Sequence, residues 1–356
     1  MTEGLAFSVG AVAAFVCSSL SLRLRWCRAL PAGDRWHRRD TPLTGGLALL
    51  VAFLLALGAV VLVSAGDRRF GYLAVGATAA FLLGLADDAR TIGPRAKFVG
   101  QLLIACGMAS VIRPTWLPLA AAIPLGVFVL VAAMNSFNFL DNIDGLAAGT
   151  AAIASGTLAL TAFLDSERAL GVTACAVAGA AAGFLPLNYR RGRPAALFMG
   201  DSGALLLGLL VGSCALLAGP RGVEGVSASV FAPLLILALP ILDTSLVILV
   251  RLAERRPIWR GGCDHLSHRL VYVGFGERQA VAALLLLAAM CGAAGLTVVA
   301  VDDPLATAAA AGAVLALLVG IGSRLALVRL SPPVALPVER AQTAPAKPVR
   351  RHARAG

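Results

Sequence analysis

Long apolar runs, each broken by a short polar segment, extend from the first residues almost to residue 330. A helix needs roughly 17–25 apolar residues to cross a hydrocarbon layer about 30 Å thick. Eleven runs are candidates: 5–22, 46–64, 71–86, 98–112, 118–134, 146–164, 170–187, 202–219, 228–250, 279–299 and 305–327. The runs at 71–86 and 98–112 are short, and their ends are expected to continue into the polar segment between them. Lipid contact leaves only helices or closed barrels. These runs are too long and too uniformly apolar for barrel strands. The expected fold is all-α, a polytopic transmembrane bundle of about eleven spans in residues 1–330. Residues 331–356, rich in Pro, Ala and Arg with no apolar period, are expected to form a disordered basic tail.

The polar segments fall into two alternating sets. If the N-terminus lies outside, one face receives segments 23–45, 87–97, 135–145, 188–201, 251–278 and 328–356. They hold twenty-four Lys and Arg against five on the other face. By the positive-inside rule the rich face, and with it the C-terminus, is cytoplasmic. The N-terminal stretch has no basic segment before its apolar run, so an uncleaved first span is expected rather than a signal peptide. The polar motifs fall on the same face as the Lys and Arg, although hydropathy and charge were read separately.

Composition excludes several classes. Hydrophobic residues make up 59% and charged residues 14% of the chain, against about 25% charged in soluble domains. A net charge of +11 could point to nucleic acid, but the basic residues sit in short loops between spans, so no nucleic-acid partner is expected. Seven Cys are scattered without a CxxC, which reads as small buried hydrophobes rather than a disulfide framework or a zinc site.

Five polar motifs remain. NSFNFLDNIDGLAAG (135–149) carries Asn135, Asn138, Asp141 and Asp144, more than a helix cap needs. GDRWHRRDTPLTGG (33–46) holds Asp34, Arg35, His37 and the pair Gly45-Gly46. LADDARTIGPRAKFVGQ (85–101) holds Asp87, Asp88, Arg95 and Lys97. NYRRGRPAALFMGDSG (188–203) holds Asn188 and a lone Asp201 in a Gly-flanked turn, suited to a metal–phosphate complex. CDHLSHRL (263–270) holds His265, His268 and Arg269. The pair Asp302-Asp303 lacks basic neighbours and lies on the other face, so it reads as an ordinary loop. Asp243, inside a span, is either a functional carboxylate or a partner for another helix. Several Asp and no Cys/His tetrad favour Mg²⁺ or Mn²⁺. Surplus Lys, Arg and His favour a phosphate-bearing substrate. A site on one membrane face favours one soluble and one lipid partner, hence metal-assisted phosphoryl transfer at a lipid phosphate. A rival of another class is an ion-coupled transporter, which would place its polar groups near the midplane.

In this order the motifs resemble the polyprenyl-phosphate N-acetylhexosamine-1-phosphate transferases. The resemblance covers residues 5–327. It implies transfer of a HexNAc-1-phosphate from a UDP-sugar to undecaprenyl or another polyprenyl phosphate, with release of UMP. It also implies a plasma-membrane location, a cytoplasmic active site and a homodimer. Asp87, Asp88, Asp144 and His265 take catalytic places. Asp201 and Asp141 take metal places. Lys97, Asn138, Asn188, His268 and Arg269 take substrate-binding places. Asn142 and Ala204 depart from the family's Gly and Ser. HLSHRL is similar to the form in GlcNAc-type members rather than the triple His of the pentapeptide translocases, which makes UDP-GlcNAc the expected donor and UDP-MurNAc-pentapeptide the runner-up.

Overall fold

The computed structural model describes residues 1–23, 28–29, 41–63, 67–114, 117–165, 167–218, 228–259, 261–301 and 303–328. Asp34, Arg35 and His37 of the first motif and the tail 331–356 lie outside the described residues. The helices are α1 (Thr2–Ser21), α2 (Gly45–Val63), α3 (Arg68–Ala89), α4 (Pro94–Ala109), α5 (Leu119–Leu140), α6 (Leu146–Asp165) and α7 (Arg168–Asn188). They continue with α8 (Gly200–Leu217), α9 (Ala232–Ile236), α10 (Ala238–Ala253), α11 (Leu266–Tyr272), α12 (Glu277–Val301) and α13 (Pro304–Ala326). A two-residue antiparallel ladder joins β1 (Arg28–Ala29) to β2 (Thr41–Pro42).

Nine of these helices, among the described residues, are long and apolar enough to cross a membrane. Two of the eleven expected runs differ for local reasons. The run at 98–112 becomes α4, which starts earlier, at Pro94, a favourable first-turn residue, and stops at Ala109, so it has 16 residues. The run at 228–250 is not one helix, since α9 stops at Ile236 and α10 begins at Ala238. Pro240 has no N–H to give Ile236, and its ring crowds that carbonyl, so the helix breaks there. The run at 71–86 lengthens into α3, which carries Asp87 and Asp88 in its last turn.

α8 is the axis of the bundle, and nearly every one of its residues is buried. α1 lies against α7 through Gly179 and Gly183, where any Cβ would strike the backbone of Phe7 and Ala11. Small residues four apart allow such an approach where no hydrophobic drive exists between lipid-solvated helices. Asp303 caps α13 by accepting the Ala306 N–H at 2.7 Å, the ordinary loop role expected of it.

Candidate active site

The site forms where α2, α3, α4, α5 and α8 end on one side of the bundle. Glycines make that meeting possible. A Cβ on Gly84 of α3 would strike the Ser202 backbone, and one on Gly46 of α2 would lie 2.6 Å from the Gly203 nitrogen. Gly45 donates to the Phe198 carbonyl at 3.0 Å, and Phe198 donates to that of Pro42 at 2.9 Å. The Gly45-Gly46 pair therefore seats α2 against the turn that opens α8. In that turn Gly200 adopts φ +66°, a left-handed conformation that favours glycine.

Asp201 is the hub. Its Oδ2 is paired with the Lys97 ammonium, and its Oδ1 accepts the Asn138 amide at 2.8 Å. The same ammonium reaches Asp87 Oδ2 at 2.9 Å. The other Asp87 oxygen accepts the Ile92 N–H at 2.7 Å, which folds the α3–α4 turn back onto the carboxylate. Asp88 lies one residue on and does something else. Its two oxygens accept the backbone N–H groups of Asp201 and Ser202 at 2.9 and 3.0 Å, closing the first turn of α8. Asn135 pairs with Gln101 at 2.9 Å, tying α5 to α4.

Asp141 follows α5 and has no side-chain hydrogen bond among the described residues. Burial, and then the charges of Asp201, Asp88 and Asp144, push its carboxyl well above the usual range. Asp144 accepts the Ala195 N–H at 2.9 Å; burial raises its carboxyl, that bond opposes the rise, and Glu277 adds to it. Asn188 accepts the Gly145 N–H at 2.9 Å and donates to the Leu197 carbonyl at 3.1 Å.

The His segment at α11 packs against the end of α5. The His265 ring lies edge-on to Phe139, 5.6 Å between centroids, next to the Asn138 that holds Asp201. Its Nδ1 is 2.8 Å from Asp243 Oδ2. His268 lies beneath it, 5.7 Å between ring centroids. Burial, aided by the His265 charge, brings the His268 imidazole down to about 4. The Arg269 guanidinium points away. It donates to the Asp264 and Leu325 carbonyls at 2.8 Å each, and to those of Ala326 and Val328 at 3.3 Å each.

A family profile described as glycosyl transferase family 4 matches residues 70–219, the stretch from α3 through the end of α8. A probable undecaprenyl-phosphate N-acetylglucosaminyl 1-phosphate transferase of Bacillus subtilis is 31% identical over 275 residues, covering 72% of this chain and 73% of that protein. A decaprenyl-phosphate N-acetylglucosaminephosphotransferase of Mycobacterium tuberculosis is 33% identical over 294 residues, covering 71% of each. The chain belongs to the polyprenyl-phosphate GlcNAc-1-phosphate transferase family. A phospho-N-acetylmuramoyl-pentapeptide-transferase of Geobacillus kaustophilus is 35% identical over 210 residues, covering 52% of this chain and 64% of that protein.

Within this transferase the expected residues separate into two groups. Asp87, Lys97, Asn138 and Asp201 form one bonded cluster, with the Asp141 and Asp144 carboxylates near it. His265 and the buried His268 stand together at α11, in contact with the end of α5 through Phe139. Three others are engaged in holding the fold. Asp88 was expected to be catalytic, but both its oxygens hold the α8 backbone. Asn188 was expected to bind substrate, but it is 2% exposed and its amide latches Gly145 to Leu197. Arg269 was expected to contact phosphate, but its guanidinium caps the end of α13. Asp243, left unassigned by the sequence, proves to be the partner of His265, and its burial inside a helix was the only signal for it.

The transferase's donor set suits a hard divalent ion. Asp141 has no side-chain hydrogen bond among the described residues, and the charges of Asp201, Asp88 and Asp144 disfavour its ionised form, an effect that a cation beside it would oppose. Among the described residues no three acidic or His/Cys side chains gather around one point.

Proposed function

We propose that this protein transfers GlcNAc-1-phosphate from UDP-GlcNAc to a polyprenyl phosphate in the plasma membrane and releases UMP. The observation that carries the reading is the hub at Asp201, where side chains from α3, α4 and α5 meet the N-terminus of α8. The names of the relatives supply the class of acceptor and sugar. The longer match to the GlcNAc transferases than to the pentapeptide transferase favours UDP-GlcNAc over UDP-MurNAc-pentapeptide. The Lys and Arg bias of the loops supports a cytoplasmic site, an outside N-terminus and eleven crossings, with α4 and the broken α9–α10 segment as the two beyond the nine long helices.

Asp141 and Asp201 would hold Mg²⁺ or Mn²⁺, which supplies Lewis-acid charge to the donor's two phosphates when bound. Asn138 and Lys97 fix the Asp201 carboxylate from opposite sides. Lys97 also brings a positive charge to the phosphoryl group in flight, where electrostatic stabilisation is the main service a protein can render. Asp87 keeps that ammonium in place and stands beside the entering lipid phosphate. A lipid phosphate oxygen attacks the β-phosphorus of the donor, the bond to the UMP oxygen breaks, and UMP carries away the electron pair. His265 presents Nε2 to the phosphates. Asp144 holds the 188–197 loop over the site.

Purified protein given UDP-GlcNAc, polyprenyl phosphate and Mg²⁺ should release UMP and form a lipid-linked GlcNAc diphosphate, and chelation should stop both. Release of UMP from another UDP-sugar, and none from UDP-GlcNAc, would reassign the donor. Flux of ions across proteoliposomes without UMP release would favour the transporter.

A further inference from the structure

Two buried charges on α10 remain outside this account. Asp243 and Arg251 are each 1% exposed. They stand eight residues apart, about two helical turns, so they share a face. Both reach the same short segment. Arg251 makes a two-pronged pair with Asp264, Nε at 3.0 Å and NH2 at 2.7 Å. Its guanidinium also lies 5.6 Å from the centre of the Phe139 ring and donates to the Ile258 carbonyl at 2.7 Å. Asp243 takes the next residue. Its Oδ2 meets His265 Nδ1 at 2.8 Å, and its Oδ1 accepts the Leu266 N–H at 2.7 Å. Consecutive residues, Asp264 and His265, are thus pinned by opposite charges on one helix. A slip of one residue that brought Asp264 to Asp243 would set two carboxylates together.

A carboxylate inside a membrane helix is expensive, and a plain cap for α11 would need only one neutral acceptor. Asp243 instead spends one oxygen on the backbone and the other on the imidazole. A carboxylate accepts and never donates when ionised, so the Nδ1 it faces must carry the proton. The other nitrogen, Nε2, makes no hydrogen bond among the described residues. The ring is held edge-on against Phe139, beside the residue that fixes Asp201.

We propose that Asp243 is a positioning residue of the transfer reaction, fixing the tautomer and aim of His265 so that Nε2 meets a substrate phosphate oxygen. The carboxylate behind the ring also balances the charge when Nε2 is protonated, letting His265 donate to that oxygen. The inference rests on the sugar-phosphate transfer reading.

The test compares Asp243→Asn, His265→Gln and the double variant with UDP-GlcNAc, polyprenyl phosphate and Mg²⁺. In Asp243→Asn the amide oxygen still takes the Leu266 N–H, but its NH2 faces Nδ1 and drives the ring proton to Nε2. We expect kcat to fall about 100-fold, with KM for the donor within threefold, and the double variant to lose no more than threefold beyond the lower single. A full kcat in Asp243→Asn, or a double loss equal to the product of the singles, overturns the proposal, since two residues that act through one shared contact lose it only once. Nitrogen-15 spectra of His-labelled wild type, with the His265 signals found by their absence in His265→Gln, provide a check that needs neither turnover nor a folded Asp243 variant. Nδ1 should carry the proton, and a bare Nδ1 overturns the proposal. If wild type fails to release UMP, the transfer reading fails, and the same spectra still decide whether Asp243 sets the ring.

Discussion

Arg269 offers a sharp test, because two accounts of it predict opposite measurements. A guanidinium that binds phosphate affects KM; one that caps a helix affects stability. Its two shorter bonds, to Asp264 and Leu325 at 2.8 Å, are charge-assisted, and such bonds contribute about 1.5–3 kcal/mol each. The end of α13 adds roughly 0.3–1 kcal/mol for a cation at a helix C-terminus. Water can reach the last carbonyls once the guanidinium is gone, so the lower end of the range applies, about 3 kcal/mol. Arg269→Met keeps the apolar stem and removes the donors. At roughly 2–3 °C per kcal/mol for a large chain, thermal unfolding in detergent should move down by about 5–10 °C. Initial rates on the folded fraction should keep KM for UDP-GlcNAc within threefold of wild type. A KM raised tenfold or more with an unmoved midpoint would refute the capping role and restore the phosphate contact.

Three further outcomes follow from the same geometry. Lys97→Met should lower kcat at least about 100-fold while the protein still inserts and elutes as a folded species; Lys97→Arg should recover part of the loss, and a fully active Lys97→Met would remove the ammonium from the mechanism. Gly84→Ala puts a methyl group into the Ser202 backbone, so α3 and α8 must part, and transfer should fall more steeply than the unfolding temperature; normal turnover would show that the helices can yield. His268 sits at about 4 in the fold and near 6.5 when unfolded, so below pH 6.5 the unfolded chain takes a proton that the fold refuses. Stability therefore rises with pH up to about 6.5, and acidification from pH 7 to 4.5 should cost wild type about 2–3 kcal/mol more than His268→Gln, with equal acid sensitivity in the two as the contrary result.

The spans and the carboxylates at their ends were legible because the hydrocarbon layer leaves few reasons to place Asp there. Asp87, Asp141 and Asp201 could be picked out that way, and Asp303 could be set aside for want of basic neighbours. What separates Asp87 from Asp88 could not be read. The difference comes from the left-handed turn at Gly200, which aims two α8 amides at one carboxylate and leaves the other to Lys97. Arg269 and Arg251 pose the same problem. Both are cations near the His segment, and only the return of α13 beside α11 shows that Arg269 serves a helix end. The Asp243–His265 pair spans 22 positions, and neither residue hints at the other. Its helix break had a local sign in Pro240, which the long apolar run around it concealed.

The central claim is that segments far apart in the chain converge on Asp201 to carry sugar-phosphate transfer. Its most direct test is transfer of label from β-³²P UDP-GlcNAc to polyprenyl phosphate by purified Asp201→Asn, with folding checked by size exclusion. The account predicts a folded protein that moves no label above background. Transfer at the wild-type rate would contradict it.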